Sequence, residues 1–244
     1  MPKLSIVVPC YFNEGNIPVT TAALTDNEQR FPAGVAFEYV LVDDGSGDNT
    51  LRELLRFREQ HPRKVKVVKL TRNFGSYQAI LAGIGYAAGD CICVITADLQ
   101  DPPELMPKMF GYWQGGTSLV IACREHREDK STFSMVFHQL MRRLFFPTAP
   151  SGGFDYVLFG RELRDKLLTL PEARYNVFYA LLRVSAQYQA VPYIRQQRKI
   201  GQSRWTWRKK VKLLFHSLAA FSLPGLLGAN HPPPFLVEQV YEDK

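Results

Sequence analysis

Short apolar segments alternate with stretches of helical spacing along most of this chain. The apolar segments are typical of buried strands and fall at residues 4–8, 37–42, 65–70, 91–95 and 118–122. The stretches between them have the length and periodicity of helices and cover residues 16–30, 48–61, 76–88 and 103–113. This order predicts an α/β fold, in which helices cover both faces of a mostly parallel central sheet.

Capping residues and glycines refine these elements. Asp48 is predicted to cap the second helix, and Gly89 to end the third. We interpret Gly83 and Gly85 as close-packing positions inside the third helix, since no dinucleotide-binding GxGxxG follows a strand. A Walker loop is also absent from the sequence, so nicotinamide enzymes and P-loop enzymes are both disfavoured.

The regular alternation of predicted strands and helices ends after residue 123. Helices are predicted at residues 131–146, 161–169, 175–186 and 205–222, and strands at 151–159 and 190–194. The apolar side of residues 133–146 is predicted to be core or the interface of a homo-oligomer. We therefore divide the chain into a main domain of residues 1–204, with parts 1–123 and 124–204, an amphipathic helix of residues 205–228, and a tail of residues 229–244.

Polar residues gather directly after four of the predicted strands, at residues 9–14, 43–46, 71–75 and 96–103. Each group alone is ordinary turn chemistry. Parallel strands, however, bring their carboxyl ends to one edge of the sheet, where α/β proteins bind ligands. We therefore expect the four groups to line one crevice.

Paired acids stand out within these groups. Asp43 and Asp44 follow one strand, and Asp98 and Asp101 follow another. Carboxylates at neighbouring strand ends repel each other unless a cation or hydrogen-bond donors lie between them. Mg²⁺ or Mn²⁺ binds one or two carboxylates together with substrate phosphates, so the sequence predicts such an ion.

The net charge of +7 is concentrated in one segment, although the overall composition is that of an ordinary globular protein. Residues 173–237 contain ten Lys or Arg and no acid. This segment could be a solvated helix face, a nucleic-acid site or a membrane surface. We favour the membrane surface, because apolar residues accompany the bases, and we expect no nucleic-acid partner. The apolar residues are Trp205, Trp207, Leu213, Leu214, Phe215, Leu218 and Phe221.

The cysteines and the termini bear on localisation. Cys10, Cys91, Cys93 and Cys123 lie in apolar runs and are predicted to be free buried thiols, which fits a reducing compartment. We expect no signal peptide, because residues 4–8 already have the pattern of a core strand. Residues 213–228 are shorter than the roughly 20 residues of a spanning helix. We expect a cytoplasmic protein that is peripheral at the inner face of the membrane.

Six motifs in order resemble glycosyltransferase family 2, within its dolichyl-phosphate mannose synthase and polyprenyl-phosphate glucosyltransferase branch. The motifs are residues 5–14, 42–46, 72–75, 97–104, 124–129 with 152–155, and 195–205. The resemblance covers about residues 3–222. It implies an A-type glycosyltransferase fold, a nucleotide-sugar donor, a polyprenyl phosphate acceptor and Mg²⁺ or Mn²⁺.

The resemblance also implies roles for individual residues. Those implied to bind the nucleotide sugar are Pro9, Tyr11, Asn13, Glu14, Asp43, Asp44, Thr96 and Asp98. Asp98 and Gln100 would ligate the metal, and Asp155 stands where the family has its proposed catalytic base. The residues implied to bind acceptor or phosphate are Arg124, Arg127, Arg195, Arg198 and Ser203, of which Arg198 would also neutralise the leaving diphosphate.

One position departs from the family pattern. The family usually has an acid where this chain has Thr96, two residues before Asp98. Catalysis remains the favoured interpretation, because Thr96 still offers a hydroxyl. The alternatives are a family 2 transferase that extends a glycan, and a relative that binds nucleotide without catalysing transfer.

Overall fold

A computed structural model describes residues 1–124, 132–150, 154–185, 187–197, 207–222 and 235–243, and the side chains of these residues except 132–134, 207–210 and 212. Eight strands form one sheet in the order β7-β5-β6-β4-β1-β2-β3-β8. Their bounds are β1 Lys3–Cys10, β2 Ala36–Asp43, β3 Val65–Leu70, β4 Cys91–Val94, β5 Leu119–Arg124, β6 Tyr156–Gly160, β7 Gln189–Tyr193 and β8 Val237–Tyr241. The predicted α/β sheet is confirmed.

The strand directions bring most of the polar connections to one end of the sheet. β1 pairs in parallel with β2 and β4, β2 with β3, and β5 with β7. β6 is antiparallel to both β4 and β5 and lies between them. The carboxyl ends of β1 to β5 and of β7 therefore meet at the same end of the sheet as the amino end of β6.

Eight α-helices lie in the described part of the chain. Their bounds are α1 Ile17–Asn27, α2 Thr50–Gln60, α3 Ser76–Tyr86, α4 Met106–Gln114, α5 Thr132–Leu144, α6 Arg161–Thr169, α7 Val177–Val184 and α8 Trp207–Ser222. One core, under α1, α2 and α4, contains Leu4, Ile6 and Val8 of β1. Val7 belongs to the other core, where α3 and α5 to α8 pack. The alternation of side chains along a buried strand thus supplies both faces of the sheet.

Close packing of α3 on the sheet depends on Gly83. A Cβ at this position would lie 2.4 Å from Val7 Cγ1 and 3.0 Å from Val42 Cγ2. The predicted close-packing role is confirmed for Gly83, but it is wrong for Gly85, whose Cβ would meet nothing within 4 Å. Gly89 lies beyond the end of α3, where a Cβ would lie 2.5 Å from Ser5 Oγ. It therefore permits close approach to β1.

The start of α2 differs by one residue from the prediction. The helix begins at Thr50, and the N-cap position is Asn49, whose side chain makes no capping bond. Asp48 Oδ1 instead accepts a hydrogen bond of 3.1 Å from the backbone N–H of Thr50. The predicted capping residue thus stabilises this turn from one position earlier.

The segment predicted to be a tail contributes the strand β8. It pairs antiparallel with β3, and Phe235, Val237 and Val240 pack against the core. Acidic side chains of this segment form ion pairs with bases of β3 and α2: Glu238 with Lys69, Glu242 with Lys66, and Asp243 with Arg58. A short strand hidden in a polar segment gives little periodic signal, which is why sequence reasoning missed it. The domain boundaries at residues 123 and 204 stay predictions.

The helix α8 packs against the protein with most of its apolar side. Phe221 is buried beside Phe146, with 5.1 Å between ring centroids, and Leu213, Leu214 and Leu218 are half-buried on the same core. Phe215 remains exposed. Residues 205, 206 and 223–228 lie outside the described residues. No helix within the described ranges combines the length and apolar character that crossing a bilayer requires.

Candidate active site at the carboxyl end of the sheet

The connection after β1 is tied to the connection after β2. The backbone N–H of Phe12 donates to Ser46 Oγ at 3.1 Å, and that of Asn13 donates to Thr50 Oγ1 at 2.7 Å. The Asn49 N–H donates to Glu14 Oε2 at 2.9 Å. These bonds close the first part of the crevice, as the convergence of strand ends predicted.

Two predicted residues of this connection keep its shape. Asn13 Oδ1 accepts the N–H of Tyr11 at 2.8 Å, and the Tyr11 ring lies edge-on to Phe12, with 4.7 Å between centroids. Pro9 is a half-buried residue of β1, next to Val42 of β2 in register. Pro9, Tyr11, Asn13 and Glu14 thus lie together at one strand end, and their contact with a nucleotide sugar stays a prediction.

Asp44 holds the connection after β3. Its carboxylate accepts hydrogen bonds from Asn73 Nδ2 at 2.8 Å and from the N–H groups of Phe74 and Gly75 at 2.7 and 2.9 Å. The side chain is buried. Gly45 makes the close approach possible, because its φ is +67° and a Cβ there would lie 2.4 Å from the carbonyl carbon of Arg72. The carboxylate of Asp44 therefore stabilises the conformation of the connection after β3.

Asp43 is buried in a different way. Its Oδ1 accepts the Ser46 N–H at 3.2 Å, whereas its buried Oδ2 has no hydrogen-bond partner among the described residues. Burial raises the pKa of Asp43, and its contacts with Ser46 reduce the shift. A buried carboxylate oxygen without a donor is costly, and a ligand N–H or hydroxyl reaching it would remove that cost.

Backbone strain marks two of the connections. Phe12 has φ of 55° and Leu99 has φ of 51°, and these are the non-glycine residues with positive φ in the described chain. Such left-handed conformations are unfavourable for bulky side chains and occur most often at functional sites. One of the two lies beside the predicted donor residues and the other beside the predicted metal ligands.

The predicted metal ligands follow β4. Asp98 Oδ1 lies 2.9 Å from Thr96 Oγ1 and 3.3 Å from the N–H of Gln100. Thr96 Oγ1 lies equally close, at 2.9 Å, to Oδ2 of the buried Asp101. Because one hydroxyl has one proton, Thr96 can donate to one of the two carboxylates at a time.

The donor atoms around Asp98 suit a hard divalent cation. Asp98 and Gln100 provide carboxylate and amide oxygens, which Mg²⁺ and Mn²⁺ prefer. Among the described residues, no three His, Cys, Asp or Glu side chains form a ready-made metal cluster. That combination fits an ion whose coordination is completed by substrate phosphates and water rather than by protein alone.

The basic strand end after β7 meets this connection directly. The Gln196 N–H donates to the carbonyl of Gln100 at 2.9 Å, and Gln100 Nε2 donates to the carbonyl of Gln196 at 3.3 Å. This pair of bonds places Arg195 beside the Asp98 connection. Residues nearly 100 positions apart in the chain are thereby joined at the crevice.

Asp155 precedes β6 and forms an ion pair with Arg124 at the end of β5. The two residues are neighbours because β6 lies antiparallel beside β5. Burial acts to raise the pKa of Asp155, but Arg124 and then Arg195 lower it to about 2. The carboxylate is therefore firmly ionised.

Asp101 and Tyr193 complete this cluster. The sequence drew attention to Asp101 only as one of the paired acids near a predicted divalent ion, and it assigned no role to Tyr193. Asp101 is fully buried and accepts a hydrogen bond of 2.5 Å from the Tyr193 hydroxyl. Tyr193 Oη also accepts from Arg124 Nε at 3.2 Å, and Arg195 Nε lies 3.4 Å from Asp101 Oδ1. A signal for Tyr193 was present, since it lies in the predicted strand of residues 190–194, two residues before Arg195.

The remaining predicted residues are Arg127, Arg198 and Ser203, which lie outside the described residues. Those described fall into two groups at one end of the sheet. Pro9 to Glu14, Asp43 and Asp44 line the β1 to β3 side, which we call the donor side. Thr96, Asp98, Gln100, Arg124, Asp155 and Arg195 line the β4 to β7 side, which we call the acceptor side.

Comparison with known proteins agrees with this architecture. The chain is 32% identical over 225 residues to an uncharacterized glycosyltransferase of Synechocystis, covering 91% of this chain and 70% of the relative. It is 31% identical over 224 residues to the bactoprenol glucosyl transferase of Shigella phage SfX, covering 90% and 72%.

A solved structure shares the fold. Glucosyl-3-phosphoglycerate synthase from Mycobacterium tuberculosis, solved with Mn²⁺, UDP and phosphoglyceric acid, gives a TM-score of 0.64 at 18% identity, covering 92% of this chain and 79% of that one. The family model of glycosyl transferase family 2 matches residues 5–168. From the β1 motif to α6, and by its similarity to these relatives, the chain belongs to glycosyl transferase family 2.

Proposed function

We propose that this protein transfers a hexose, with inversion, from a nucleotide sugar to a polyprenyl phosphate. The observation that carries the proposal is the junction of Gln100 and Gln196, which joins the Asp98 connection to the strand end that bears Arg195. Inverting transfer requires the attacking oxygen and the leaving diphosphate to lie on opposite sides of one anomeric carbon. The bactoprenol glucosyl transferase relative supports the choice of acceptor.

The donor side would hold the nucleoside. Asp43 Oδ2 is buried and has no donor among the described residues, so a base N–H or a ribose hydroxyl would satisfy it. Pro9, Tyr11, Asn13 and Glu14 form the adjacent wall. Asp44 would act through the Phe74 and Gly75 connection that it holds, since its carboxylate already accepts three hydrogen bonds there.

Asp98 and Gln100 would hold Mg²⁺ or Mn²⁺. A bound divalent ion would supply positive charge to the leaving diphosphate. Thr96 would orient Asp98 through its hydroxyl, 2.9 Å from Asp98 Oδ1. The structural neighbour solved with Mn²⁺ and UDP supports this assignment.

Arg124 and Arg195 would bind the acceptor phosphate. A phosphate monoester is largely dianionic at pH 7, so its oxygen can attack without a strong base. Asp155, with a pKa of about 2, is also a poor base at that pH. Its task would be to hold Arg124 in place, while Arg127, Arg198 and Ser203 would contribute from the segments outside the described residues.

A lipid acceptor requires a membrane-facing side. Met135, Val136 and Leu144 of α5 are more than half exposed, as is Phe215 of α8, and the two helices are in contact. The bases Arg208, Lys209, Lys210 and Lys212 fall within the first six residues of α8, and their side chains lie outside those described. We infer that this face contacts an anionic membrane surface at the cytoplasmic side, each near-surface base adding about 1 kcal/mol. Replacing the four bases with Gln should weaken liposome binding and spare UDP and GDP binding.

The direct test is transfer by the full chain from a panel of UDP- and GDP-sugars to a short polyprenyl phosphate, with Mn²⁺ or EDTA. A lipid-linked product that depends on the metal is expected. Asp98→Asn should lower turnover by about 10²-fold or more. Its matched control is Asp26→Asn, on the exposed side of α1. Arg195→Met should raise the acceptor KM, and Arg30→Met, at an exposed site, should not.

The alternatives predict other outcomes. Product formed on a soluble glycan but not on the lipid phosphate would favour a glycan-extending transferase. Nucleotide binding that is independent of Mn²⁺, with no transfer, would favour a non-catalytic relative, the outcome that Thr96 leaves open. Transfer assays with the two acceptors separate the two catalytic proposals, and calorimetry with UDP and GDP, with and without Mn²⁺, identifies the non-catalytic relative. No binding of either nucleotide would contradict all three.

A further inference from the structure

We propose that Tyr193, together with Asp101, is a positioning residue for transfer: it holds Arg124 and Arg195 in the geometry that receives the acceptor phosphate. This inference rests on the proposed function of the two arginines. The family resemblance implied no role for Tyr193, and none for Asp101, although Asp101 lies in the motif of residues 97–104. Both are buried within the acceptor side.

The direction of the hydrogen bonds is fixed by chemistry. A guanidinium has no acceptor atom, so Tyr193 Oη must accept from Arg124 Nε, which lies 3.2 Å away. The hydroxyl proton is then left for Asp101 Oδ1, at 2.5 Å. Tyr193 thus joins the arginine to the buried acid in one defined arrangement.

Asp101 is the shared anchor of both arginines. Its Oδ1 lies 3.4 Å from Arg195 Nε and 4.0 Å from Arg124 Nη2, and its side chain has no exposed surface. Arg195 Nε is buried without a hydrogen-bond partner in the described chain, so charge attraction to Asp101 is what orients it. Displacing Asp101 would therefore release both guanidinium groups.

The charges of the cluster explain why its geometry matters for an anionic substrate. Asp101 and Asp155 balance Arg124 and Arg195, so the four side chains together are neutral. A phosphate can bind only if the arginines present N–H groups to it while keeping their bonds to the acids. A rigid hydroxyl bridge favours that arrangement, because less reorganisation is needed when the phosphate arrives.

The Asp101 carboxylate also contacts Thr96, which lies beside the predicted metal ligand Asp98. Asp101 Oδ2 lies 2.9 Å from Thr96 Oγ1, which also lies 2.9 Å from Asp98 Oδ1. The two carboxylate oxygens of Asp101 thus contact different neighbours, Tyr193 and Arg195 at Oδ1 and Thr96 at Oδ2. Removing the Tyr193 hydroxyl acts at Asp101 Oδ1, on the arginine side, and leaves the Thr96 contact on Oδ2 in place. The acceptor should therefore be affected more than the nucleotide.

Tyr193→Phe in the full chain is the test, and Tyr156→Phe is its matched control. The Tyr156 ring lies edge-on to Tyr193, with 6.3 Å between centroids, and its hydroxyl donates to the carbonyl of Pro102 rather than to the charged cluster. Both variants remove one buried hydroxyl and keep the ring. We expect Tyr193→Phe to raise the acceptor KM about tenfold, the cost of one hydrogen bond to charged groups.

The donor KM and the affinity for UDP should change by less than about twofold in Tyr193→Phe, and all constants should do so in Tyr156→Phe. A merely structural role would instead lower kcat through a smaller active fraction, with both KM values unchanged. That result, or an unchanged acceptor KM, would overturn the inference.

Binding of a short prenyl phosphate, measured by calorimetry, separates this inference from the proposed function. If the wild type makes no lipid-linked product but binds prenyl phosphate about tenfold more tightly than Tyr193→Phe, the proposed function is wrong and the positioning role stands. If the wild type makes product and the two proteins bind prenyl phosphate equally, only the inference is wrong. If the wild type neither transfers nor binds, both are wrong.

Discussion

Asp44 on the donor side and Asp101 on the acceptor side are both buried carboxylates at strand ends, but they are stabilised differently. Asp44 accepts three neutral N–H groups from the single connection of residues 73–75. Asp101 contacts a tyrosine hydroxyl, a threonine hydroxyl and two guanidinium groups, which come from the ends of the three strands β4, β5 and β7.

This difference suggests that the two sides respond differently to the charge of a substrate. Neutral N–H groups within one connection keep their geometry whatever the charge of the ligand. We therefore expect the donor side to have the same shape before and after the ligand binds. A balanced cluster of acids and arginines responds to each added charge, because electrostatic interactions are strong where water is excluded. The acceptor side is therefore where substrate charge should be felt.

The largest predicted effect is on the acceptor side. Arg124→Met leaves the buried Asp101 and the half-buried Asp155 without this cation, and we expect the free energy of unfolding to fall by about 3–5 kcal/mol. Urea unfolding followed by circular dichroism measures this loss. Adding Asp155→Asn should restore part of it, and a single variant within about 1 kcal/mol of wild type would contradict the importance of this charge balance.

Asp44→Asn should have a smaller effect, about 1.5–3 kcal/mol, because one carboxamide oxygen replaces two carboxylate oxygens that accept three bonds. The control is the exposed Asp26→Asn, which should lie within about 0.5 kcal/mol of wild type. The same urea titrations measure both. A loss for Asp44→Asn as large as that for Arg124→Met would remove the distinction between the two sides.

Lowering the pH should change the contributions of the two sides to the free energy of unfolding in opposite directions. The folded pKa of Asp155, about 2, lies below its ordinary value near 3.9, so its contribution to stability is present above pH 4 and is lost as the pH falls towards 2. The pKa of Asp43 is raised by burial, so protonation favours the folded state as the pH falls through that value.

Unfolding measured from pH 6 to pH 3 tests this contrast. Asp155→Asn should lose less stability than wild type as the pH falls, and Asp43→Asn should lose more. Parallel curves for the two variants would contradict the assigned pKa directions. Asp26→Asn again provides the control, since it lies outside both groups.

The smallest effect is expected for the exposed ion pairs of β8. Glu238→Gln removes the partner of Lys69, at 2.6 Å, and should cost about 0.2–1 kcal/mol. The loss should shrink in 1 M NaCl, where exposed charges are screened, whereas the loss for Arg124→Met should persist. A salt-independent loss for Glu238→Gln would show that this pair is not an exposed surface pair.

Much of this site could be predicted from sequence because its residues follow strands. The groups around Asp43 and Asp98 come directly after buried apolar runs, so their convergence followed from the parallel topology. The contact between Tyr193 and Asp101 was not predicted, for the opposite reason. Their bond spans 92 positions and depends on β7 lying beside β5, which no local pattern encodes.

The helix α8 also shows what a local sequence pattern leaves undetermined. Its apolar residues were visible in the sequence, but periodicity does not tell whether an apolar side meets lipid or protein. Packing buries Phe221 and partly buries Leu213, Leu214 and Leu218, while Phe215 stays exposed. The membrane contact that we propose therefore depends on Phe215 and α5 more than the sequence suggested.

Periodicity and short motifs are local properties of the chain, so they were enough to predict the order of β1 to β7 and α1 to α8, the polar strand ends and the family. Tertiary structure decided which strand ends are neighbours. It placed β6 between β4 and β5, so that Asp155 meets Arg124, and it added β8 at the edge. These outcomes depend on strand pairing and burial across the whole sheet, where distant residues share one environment.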